Sequence, residues 1–219
     1  RSIRTIFFAS LNVNILVMTL LDLNRFYIKR SKYPVHYVFV PHSIVSTHMV
    51  FRKGAHDHFD TIFCVGPHHV TELREAEEKY GLTPRTLFES GYVRVDAIYG
   101  ESKGMKLKRP QRENSPFRVL IAPSWGENCI LESGGEKLVK VLLDAGFHVT
   151  VRPHRHTREH SGHLLDKLKE EFSNCSGFIW EEGRPSHDSF LKSDILVTDW
   201  SGSAFSFSFG LERPVLFID

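Results

Sequence analysis

Short hydrophobic runs alternate with longer polar or amphipathic stretches from one end of the chain to the other. The hydrophobic runs, bounded by turn-forming residues, predict buried strands at 15–20, 35–40, 61–65, 87–95 (a strand and its turn), 117–122, 147–151, 178–180, 195–197 and 214–218. The stretches between them predict helices at 22–32, 44–52, 68–80, 131–145, 164–172, 186–192 and 204–211. Strands that alternate with helices are typical of parallel sheets, so we predict an α/β fold.

A basic stretch punctuated by prolines interrupts this alternation at 101–116. It has no apolar period, which indicates a linker. We therefore predict an N-terminal Rossmann-like domain over 1–100, a linker over 101–116 and a C-terminal Rossmann-like domain over 117–219. We expect both halves to be incomplete at their outer ends.

The apolar stretch at 6–23 is long enough to be tested as a membrane span. Asn12, Asn14 and Asp22 interrupt it, and polar groups are unfavourable inside a bilayer. A signal peptide would have a shorter apolar region and a small-residue cleavage site. We therefore predict a buried strand at 15–20.

The composition is that of a globular protein, with 41% hydrophobic and 25% charged residues. A net charge of +2 does not favour nucleic acid as a partner. The three cysteines, Cys64, Cys129 and Cys175, are too far apart for a disulfide framework or a zinc pattern. This usage predicts a reducing, cytoplasmic compartment.

The most informative stretch runs from residue 193 to 219, where a strand, a turn, a helix and a strand follow one another. The turn contains Asp199, Ser201, Gly202 and Ser203. We expect the N–H groups of the last three to be free at the start of the helix, which favours a bound phosphate or carboxylate. The alternative interpretation is an ordinary helix cap.

Polar residues follow several other predicted strands, and ligands of open parallel sheets bind outside the carboxyl ends of the strands. These residues are His42-Ser43, His68-His69, Ser124-Trp125-Gly126 and the segment 152–156. Arg152, His154, Arg155, His156 and Arg158 predict a cationic group that suits phosphate, with a solvated basic loop as the alternative. We predict no metal site, since the arginines repel a dication and no carboxylate or cysteine pattern completes a histidine site.

His42 follows a predicted strand and precedes a predicted helix, where side chains often face a ligand. An imidazole there can act as a general base, or it can be merely structural. The chain lacks the G-x-G-x-x-G, P-loop and G-x-S-x-G motifs, which disfavours nicotinamide enzymes, P-loop NTPases and α/β-hydrolases.

From about Tyr33 onward the chain resembles the CDP-glycerol glycerophosphotransferase family, the bacterial wall teichoic acid polymerases, which have a GT-B fold. Residues 121–125 are similar to its Tyr-Ala-Pro-Thr-Trp stretch, and 152–154 to its Arg-x-His-Pro element. The most specific part, 193–201, resembles its Ala-Asp-x-Leu-Ile-Thr-Asp-Tyr-Ser-Ser signature, followed by a match at 213–215. Residues 91–96 are similar to its Gly-x-Pro-Arg-x-Asp element, and Pro41-His42-Ser43 falls where the family has Trp-His-Gly.

The resemblance implies a transferase that moves glycerophosphate from a CDP- or CMP-linked donor to a glycan or polyol-phosphate acceptor, without a cofactor or metal. His42 would be the catalytic base. The residues implied to bind the donor phosphates and nucleotide are Ser124, Trp125, Arg152, His154, Asp199, Ser201, Gly202 and Ser203. The basic segment 103–112 can touch an anionic membrane, with a solvated linker as the alternative.

The sequence departs from the family pattern at Ser43, Gly126, Arg155 and Gly202. These departures leave three alternatives open on the same scaffold. One is a GT-B glycosyltransferase that uses a CMP- or UDP-sugar such as CMP-Kdo, and another is an epimerase that acts on a UDP-sugar. The third is a non-catalytic module that binds an anionic ligand.

Overall fold

The computed structural model describes residues 3–106, 115–182 and 187–218. It divides the chain into two compact units, residues 1–92 and 93–219. Each unit holds one fully parallel sheet, so the predicted α/β fold with parallel sheets is confirmed.

The first unit contains a four-stranded parallel sheet in the order β1-β2-β3-β4. Its elements are α1 (Ile3–Ser10), β1 (Ile15–Met18), β2 (His36–Phe39), α2 (Thr47–Val50), β3 (Thr61–Cys64), α3 (Pro67–Tyr80) and β4 (Thr86–Glu89). Tyr37, Phe39 and Ile62 of the central strands pack with Leu73 of α3 in its core. Helix α3 ends as predicted at Gly81, whose positive φ of 60° suits glycine.

The second unit contains a five-stranded parallel sheet in the order β7-β6-β5-β8-β9. Its elements are α4 (Val93–Lys106), β5 (Arg118–Ile121), α5 (Ile130–Ser133), α6 (Gly135–Asp144), β6 (His148–Val151), α7 (Arg155–Phe172), β7 (Phe178–Trp180), α8 (Asp188–Lys192), β8 (Ile195–Thr198), α9 (Ser203–Leu211) and β9 (Val215–Phe217). Alternate residues of β5 point into two cores, Val119 and Ile121 into one and Leu120 into the other.

Residues 22–32 do not form the predicted helix. They form turns with an isolated bridge between Arg25 and Ile28. Asp22 and Asn24 have φ values of 64° and 61°, a left-handed conformation that Asp and Asn tolerate better than most residues. Arg30 donates to both oxygens of Asp60, and such tertiary contacts outweigh helix propensity here.

Other predicted helices have different boundaries in the structure. Within the helix predicted at 44–52, the structure has only the single turn of α2. In place of the helix predicted at 131–145 it has two helices, α5 and α6. Helix α7 begins nine residues before the predicted 164, although Ser161 inside it has non-helical angles. Residue 186 of the predicted 186–192 helix lies outside the described residues, and α8 covers the rest of that prediction from Asp188.

The predicted domain boundary is also moved, because 93–106 forms helix α4 and belongs to the second unit. Ile98 and Ser102 of α4 are buried, and Ile98 packs in the same core as Phe207 and Leu211 of α9. The predicted linker at 101–116 therefore overlaps a packed helix as far as 106, and its part at 107–114 lies outside the described residues.

The apolar stretch at 6–23 contains the end of α1 and all of β1. Among the helices that the structure describes, none has both the length and the apolar character needed to cross a membrane.

Candidate functional site

The candidate donor site lies where two neighbouring strands of the second sheet end. Strands β5 and β8 pair in parallel, so the loops after Ile121 and Thr198 leave the same edge. In the order β7-β6-β5-β8-β9, the chain adds β6 and β7 on the β5 side of this pair and β9 on the β8 side. Such a reversal opens a crevice at the carboxyl ends of the strands, which is where open α/β sheets bind ligands.

Asp199 connects these two loops. Its carboxylate is buried, with Oδ1 accepting from the Ser124 N–H at 2.6 Å and Oδ2 from the Ile130 N–H at 3.1 Å. A carboxylate repels a phosphate, and both oxygens already have donors. The interpretation of Asp199 as a phosphate-holding residue is therefore corrected: its side chain fixes the Ser124 loop and the start of α5.

The turn after Asp199 offers fewer N–H groups than the sequence predicts. Ser201 N donates to the Asp199 carbonyl at 2.7 Å, and Ser203 N donates to Ser201 Oγ at 3.2 Å. The N–H of Gly202, the N-cap of α9, donates to no other described residue. Because Ser201 Oγ accepts from Ser203, its own hydroxyl proton is available for an acceptor such as phosphate.

Trp125 forms an aromatic group with three histidines of α7 and its cap. Its ring is stacked with those of His154 and His160 at 6.3 and 6.0 Å, and lies 4.9 Å from that of His156. About half of the Trp125 surface is exposed. The group therefore presents a partly open aromatic surface at the same edge as the Ser201 turn.

His154 caps helix α7, since its Nδ1 accepts from the His156 N–H at 3.2 Å. Burial, and secondly the neighbouring His156, lower the pKa of His154. A neutral imidazole whose Nδ1 accepts must carry its proton on Nε2. His154 is thus a neutral donor, not a cation, at neutral pH.

Arg152 follows β6 and is largely buried. Its guanidinium lies 4.3 Å from the centre of the Phe190 ring, and Nη1 donates to Ser189 Oγ at 3.0 Å. Glu181 Oε1 lies 3.9 Å from Nη1. Burial lowers the pKa of Arg152 to about 10, so the side chain stays charged at neutral pH.

The predicted cationic group does not converge as expected. Arg155 and Arg158 lie on α7 and not in a loop. Arg155 pairs with Glu159 at 3.1 Å, and Arg158 pairs with Asp166 and Glu182. His156 also contacts a carboxylate, since its Nδ1 lies 2.8 Å from Glu159. Arg152 has the longest of these ion pairs, 3.9 Å from Glu181, so Arg152 and the neutral His154 are the members of the group that remain candidates.

His42 lies in the first unit, in the bend that follows β2, and its side chain is exposed. Its carbonyl accepts from the Tyr92 hydroxyl at 2.8 Å, and its ring centre lies 6.4 Å from that of Phe51. An exposed imidazole at the carboxyl edge of a parallel sheet is available to a substrate.

A sequence model of the family described as CDP-Glycerol:Poly(glycerophosphate) glycerophosphotransferase matches residues 35–219. The match includes every candidate residue that follows a strand of either sheet. The chain belongs to this glycerophosphotransferase family. The family resemblance seen in the motifs is thereby confirmed.

The chain is also similar to individual proteins. The teichoic acid poly(glycerol phosphate) polymerase of Bacillus spizizenii is 28% identical over 145 residues, which cover 61% of this chain and 35% of that protein. A structure of the wall teichoic acid polymerase TagF, a His-to-Asn variant soaked with CDPG, superposes with a TM-score of 0.61 at 18% identity. That superposition covers 94% of this chain and 53% of TagF, so the chain spans about half or less of these relatives.

The UDP-GlcNAc 2-epimerase of Methanocaldococcus jannaschii, in complex with UDP-GlcNAc and UDP, is also similar in structure. Its TM-score is 0.55 at 14% identity, over 84% of this chain and 52% of the epimerase. At this identity the similarity concerns the fold alone.

Sequence reasoning missed several partners of the candidate residues. Ser189 and Phe190, which hold Arg152, come from a short helix whose packing no local pattern reveals. The sequence does contain a signal for the contact of His160, because this residue lies four positions after His156 and therefore shares its helix face. In the described parts of the chain, no group of three or more His, Cys, Asp or Glu side chains is arranged to hold a metal.

Proposed function

We propose that the protein transfers glycerophosphate, or a related polyol phosphate, from CDP-glycerol or a similar CDP-linked donor to a cell-surface polymer. The observation that carries the proposal is the family match over residues 35–219, which includes the His42 bend and the loops after β5, β6 and β8. The TagF structure soaked with CDPG supports the same donor class.

The proposed reaction is a single displacement at phosphorus. An oxygen of an acceptor hydroxyl attacks the β-phosphorus of the donor, and the bond between that phosphorus and the bridging oxygen breaks. CMP leaves with the bridging oxygen, and His42 takes the proton of the attacking hydroxyl. One P–O bond forms and one breaks, so the step needs neither an oxidant nor a reductant.

In the second unit, the proposed role of the strand-end residues is to bind the donor phosphates. Arg152 supplies a fixed positive charge, and His154 supplies a neutral Nε2–H donor. Ser201 and Gly202 supply a hydroxyl and an N–H, while Ser203 and Ser124 contribute their hydroxyls. Donors aimed at the leaving phosphate lower the barrier by stabilising the charge that develops on it. Trp125 offers a surface on which a nucleobase can stack.

Incubation of the full-length protein with CDP-glycerol, CMP-Kdo and UDP-sugars tests the proposed activity. We expect acceptor-dependent release of CMP from CDP-glycerol. Release from CMP-Kdo or a UDP-sugar alone would replace the proposal with a glycosyltransferase. Binding of nucleotide without release from any donor would instead indicate the non-catalytic module.

Three substitutions separate donor binding from catalysis. We expect His154→Ala and Ser201→Ala each to weaken CDP binding by about tenfold, since each removes one hydrogen bond to a charged ligand. We expect His42→Ala to retain CDP affinity and lower turnover by at least about a hundredfold. Calorimetry and turnover measured on the same preparations provide the comparison, and unchanged CDP affinity in both of the first two variants would refute the donor site.

We also propose that the protein acts in the cytoplasm, with peripheral contact to the inner face of the membrane. Lys103 of α4 begins the basic segment that motivates this, and its part from 107 to 112 lies outside the described residues. Co-sedimentation with anionic but not with neutral vesicles is the expected result. Equal sedimentation with both would remove the electrostatic basis of the proposal.

A further inference from the structure

The segment that carries His42 has no regular secondary structure of its own. Residues 41–46, here named the His42 loop, connect β2 to the single turn of α2. The His42 ring makes no hydrogen bond to another described side chain, and its ring contact is Phe51 at 6.4 Å. The position of the imidazole therefore depends on how the main chain of the loop is held.

Two consecutive histidines of α3 hold two consecutive carbonyls of this loop. His68 Nε2 lies 3.1 Å from the Ile44 oxygen, and His69 Nε2 lies 2.9 Å from the Val45 oxygen. A carbonyl only accepts, so both rings carry a proton on Nε2. His69 is almost completely buried, and burial is the main cause of its lowered pKa. It is therefore a fixed neutral donor inside the unit.

One turn further along α3, Glu72 holds the end of the loop. Its Oε2 accepts from both the N–H and the hydroxyl of Thr47 at 2.6 Å, and from the His48 N–H at 3.4 Å. Burial alone would raise the pKa of this carboxyl, but the hydrogen bonds from Thr47, Ser46 and His48 lower it to about 2. Glu72 is thus an ionised anchor at the first residue of α2.

Tyr92 holds the opposite end of the loop, since its hydroxyl donates to the His42 carbonyl at 2.8 Å. The main chain is consequently fixed at residue 42, at residues 44 and 45, and at residue 47. The contacts come from two parts of the first unit, namely α3 and the residue that ends the unit.

We propose that His69 and Glu72 are positioning residues for His42, which hold its loop so that the imidazole meets the acceptor hydroxyl. This inference rests on the proposed function of His42 as the base. A general base must lie within hydrogen-bond reach of the proton that it removes. A displacement of about 1 Å can lower the rate by about a hundredfold. Release of the loop is therefore expected to reduce turnover without disturbing the donor site of the other unit.

The test compares two carboxylate-to-amide changes on the same helix in the full-length protein. Glu72→Gln keeps one acceptor oxygen but removes the negative charge, which weakens the hydrogen bonds from Thr47 and His48. Glu75→Gln makes the same change at an exposed residue. With CDP-glycerol as donor, we expect Glu72→Gln to lower kcat per folded molecule by about 10- to 100-fold and to change the donor KM by less than about threefold. We expect Glu75→Gln to leave both values unchanged.

A double-mutant cycle with His42→Ala distinguishes positioning from a general structural role. Since Glu72 acts through His42, we expect Glu72→Gln to cause no further loss of kcat in the His42→Ala background. A further loss of the same size in that background, or an unchanged kcat in folded Glu72→Gln, would overturn the proposed positioning. Wild-type turnover by His42→Ala would instead overturn the proposed function and, with it, this inference.

Thr47→Val provides a milder variant if Glu72→Gln does not fold. It removes one hydroxyl donor to Glu72 and retains the main-chain bond at 2.6 Å. We expect circular dichroism equal to that of the wild type and a fall in kcat of several-fold, again with no further fall in the His42→Ala background. An unchanged kcat in folded Thr47→Val would count against the proposal.

Discussion

Two carboxylates, of Asp199 and Glu72, show how single side chains organise the two units. Asp199 accepts from the main-chain N–H groups of Ser124 and Ile130 in the second unit. Glu72 accepts from those of the adjacent residues Thr47 and His48, at the start of α2 in the first unit. Charge-assisted bonds of this kind are stronger than bonds between neutral groups. Each carboxylate therefore fixes a loop that contains a candidate ligand-binding residue, without being placed to bind an anion itself.

Asp199→Asn tests the organising role of this carboxylate. An amide offers one acceptor oxygen, so its NH2 group would face either the Ser124 N–H or the Ile130 N–H. We expect the free energy of unfolding to fall by about 2 kcal/mol and CDP to bind more weakly. Urea unfolding and calorimetry provide the measurements. Asp144→Asn, which alters an exposed carboxylate of α6, should change neither quantity.

His56 makes the stability of the first unit dependent on pH. The ring is buried against Phe39 and Phe51, and Nε2 has no hydrogen-bond partner among the described residues. Burial, followed by the charge of Arg85, lowers its pKa from 6.5 to about 4. The unfolded chain therefore binds a proton below pH 6.5 while the folded chain resists it until about pH 4.

The expected sign is a loss of stability as the pH falls from 6.5 towards 4, amounting to about 3 kcal/mol for this pKa difference. His56→Leu removes the titration and should flatten the pH dependence over that interval. Urea unfolding at several pH values measures the effect, with the exposed His163→Gln as the matched control. An identical pH dependence in the wild type and His56→Leu would show that protonation of His56 does not cause the loss of stability.

At the scale of elements, the sequence predicted the strands better than the helices. Buried strands of parallel sheets are continuous apolar runs, so 61–65 and 195–197 predicted β3 and β8 closely. Helix α4 was missed because it buries little beyond Ile98 and Ser102 and contains Gly100 and Gly104. Its position depends on packing against α9, which no local pattern records.

The candidate site shows the same division between local pattern and tertiary contact. The strand-end positions of Ser124, Arg152 and Ser201 followed from the apolar runs that precede them. The partners of these residues did not, because Asp199 binds an N–H that lies 75 positions away in the sequence. Sequence pattern therefore predicts which residues reach the sheet edge, whereas their hydrogen bonds require the folded chain.

The packing of α4 against α9 depends on Gly210. A Cβ at this position would lie 2.6 Å from Ile98 Cγ2 and 2.9 Å from Ile98 Cβ. We expect Gly210→Ala to reduce the free energy of unfolding by about 1–3 kcal/mol, because the helices must separate. Thermal unfolding measures the change.

Gly100→Ala in α4 is the matched control, since nothing lies within 4 Å of its Cβ position. Alanine is favoured over glycine in a helix by about 1 kcal/mol, so this variant should be slightly more stable than the wild type. Destabilisation of the same size by both substitutions would mean that the close contact with Ile98 is not the cause.

At the scale of the whole molecule, the structure assigns 93–106 to the second unit, whereas the sequence predicted that this unit begins after a linker. The difference is testable because Ile98 is completely buried in a core with Leu120, Phe190 and Phe207. A fragment that begins at 101 exposes the apolar surface that Ile98 covers. Loss of a buried Ile side chain typically costs about 2–5 kcal/mol.

We therefore expect the fragment 93–219 to unfold cooperatively and the fragment 101–219 to be less stable by at least that amount. The shorter fragment should also bind a hydrophobic dye, because Phe207 and Leu211 lose their cover. Ile98→Ala in the longer fragment separates the side chain from the rest of the helix, and it should account for most of the difference. Equal thermal midpoints for the two fragments would show that 93–100 does not stabilise the second unit, as the predicted linker over 101–116 implies.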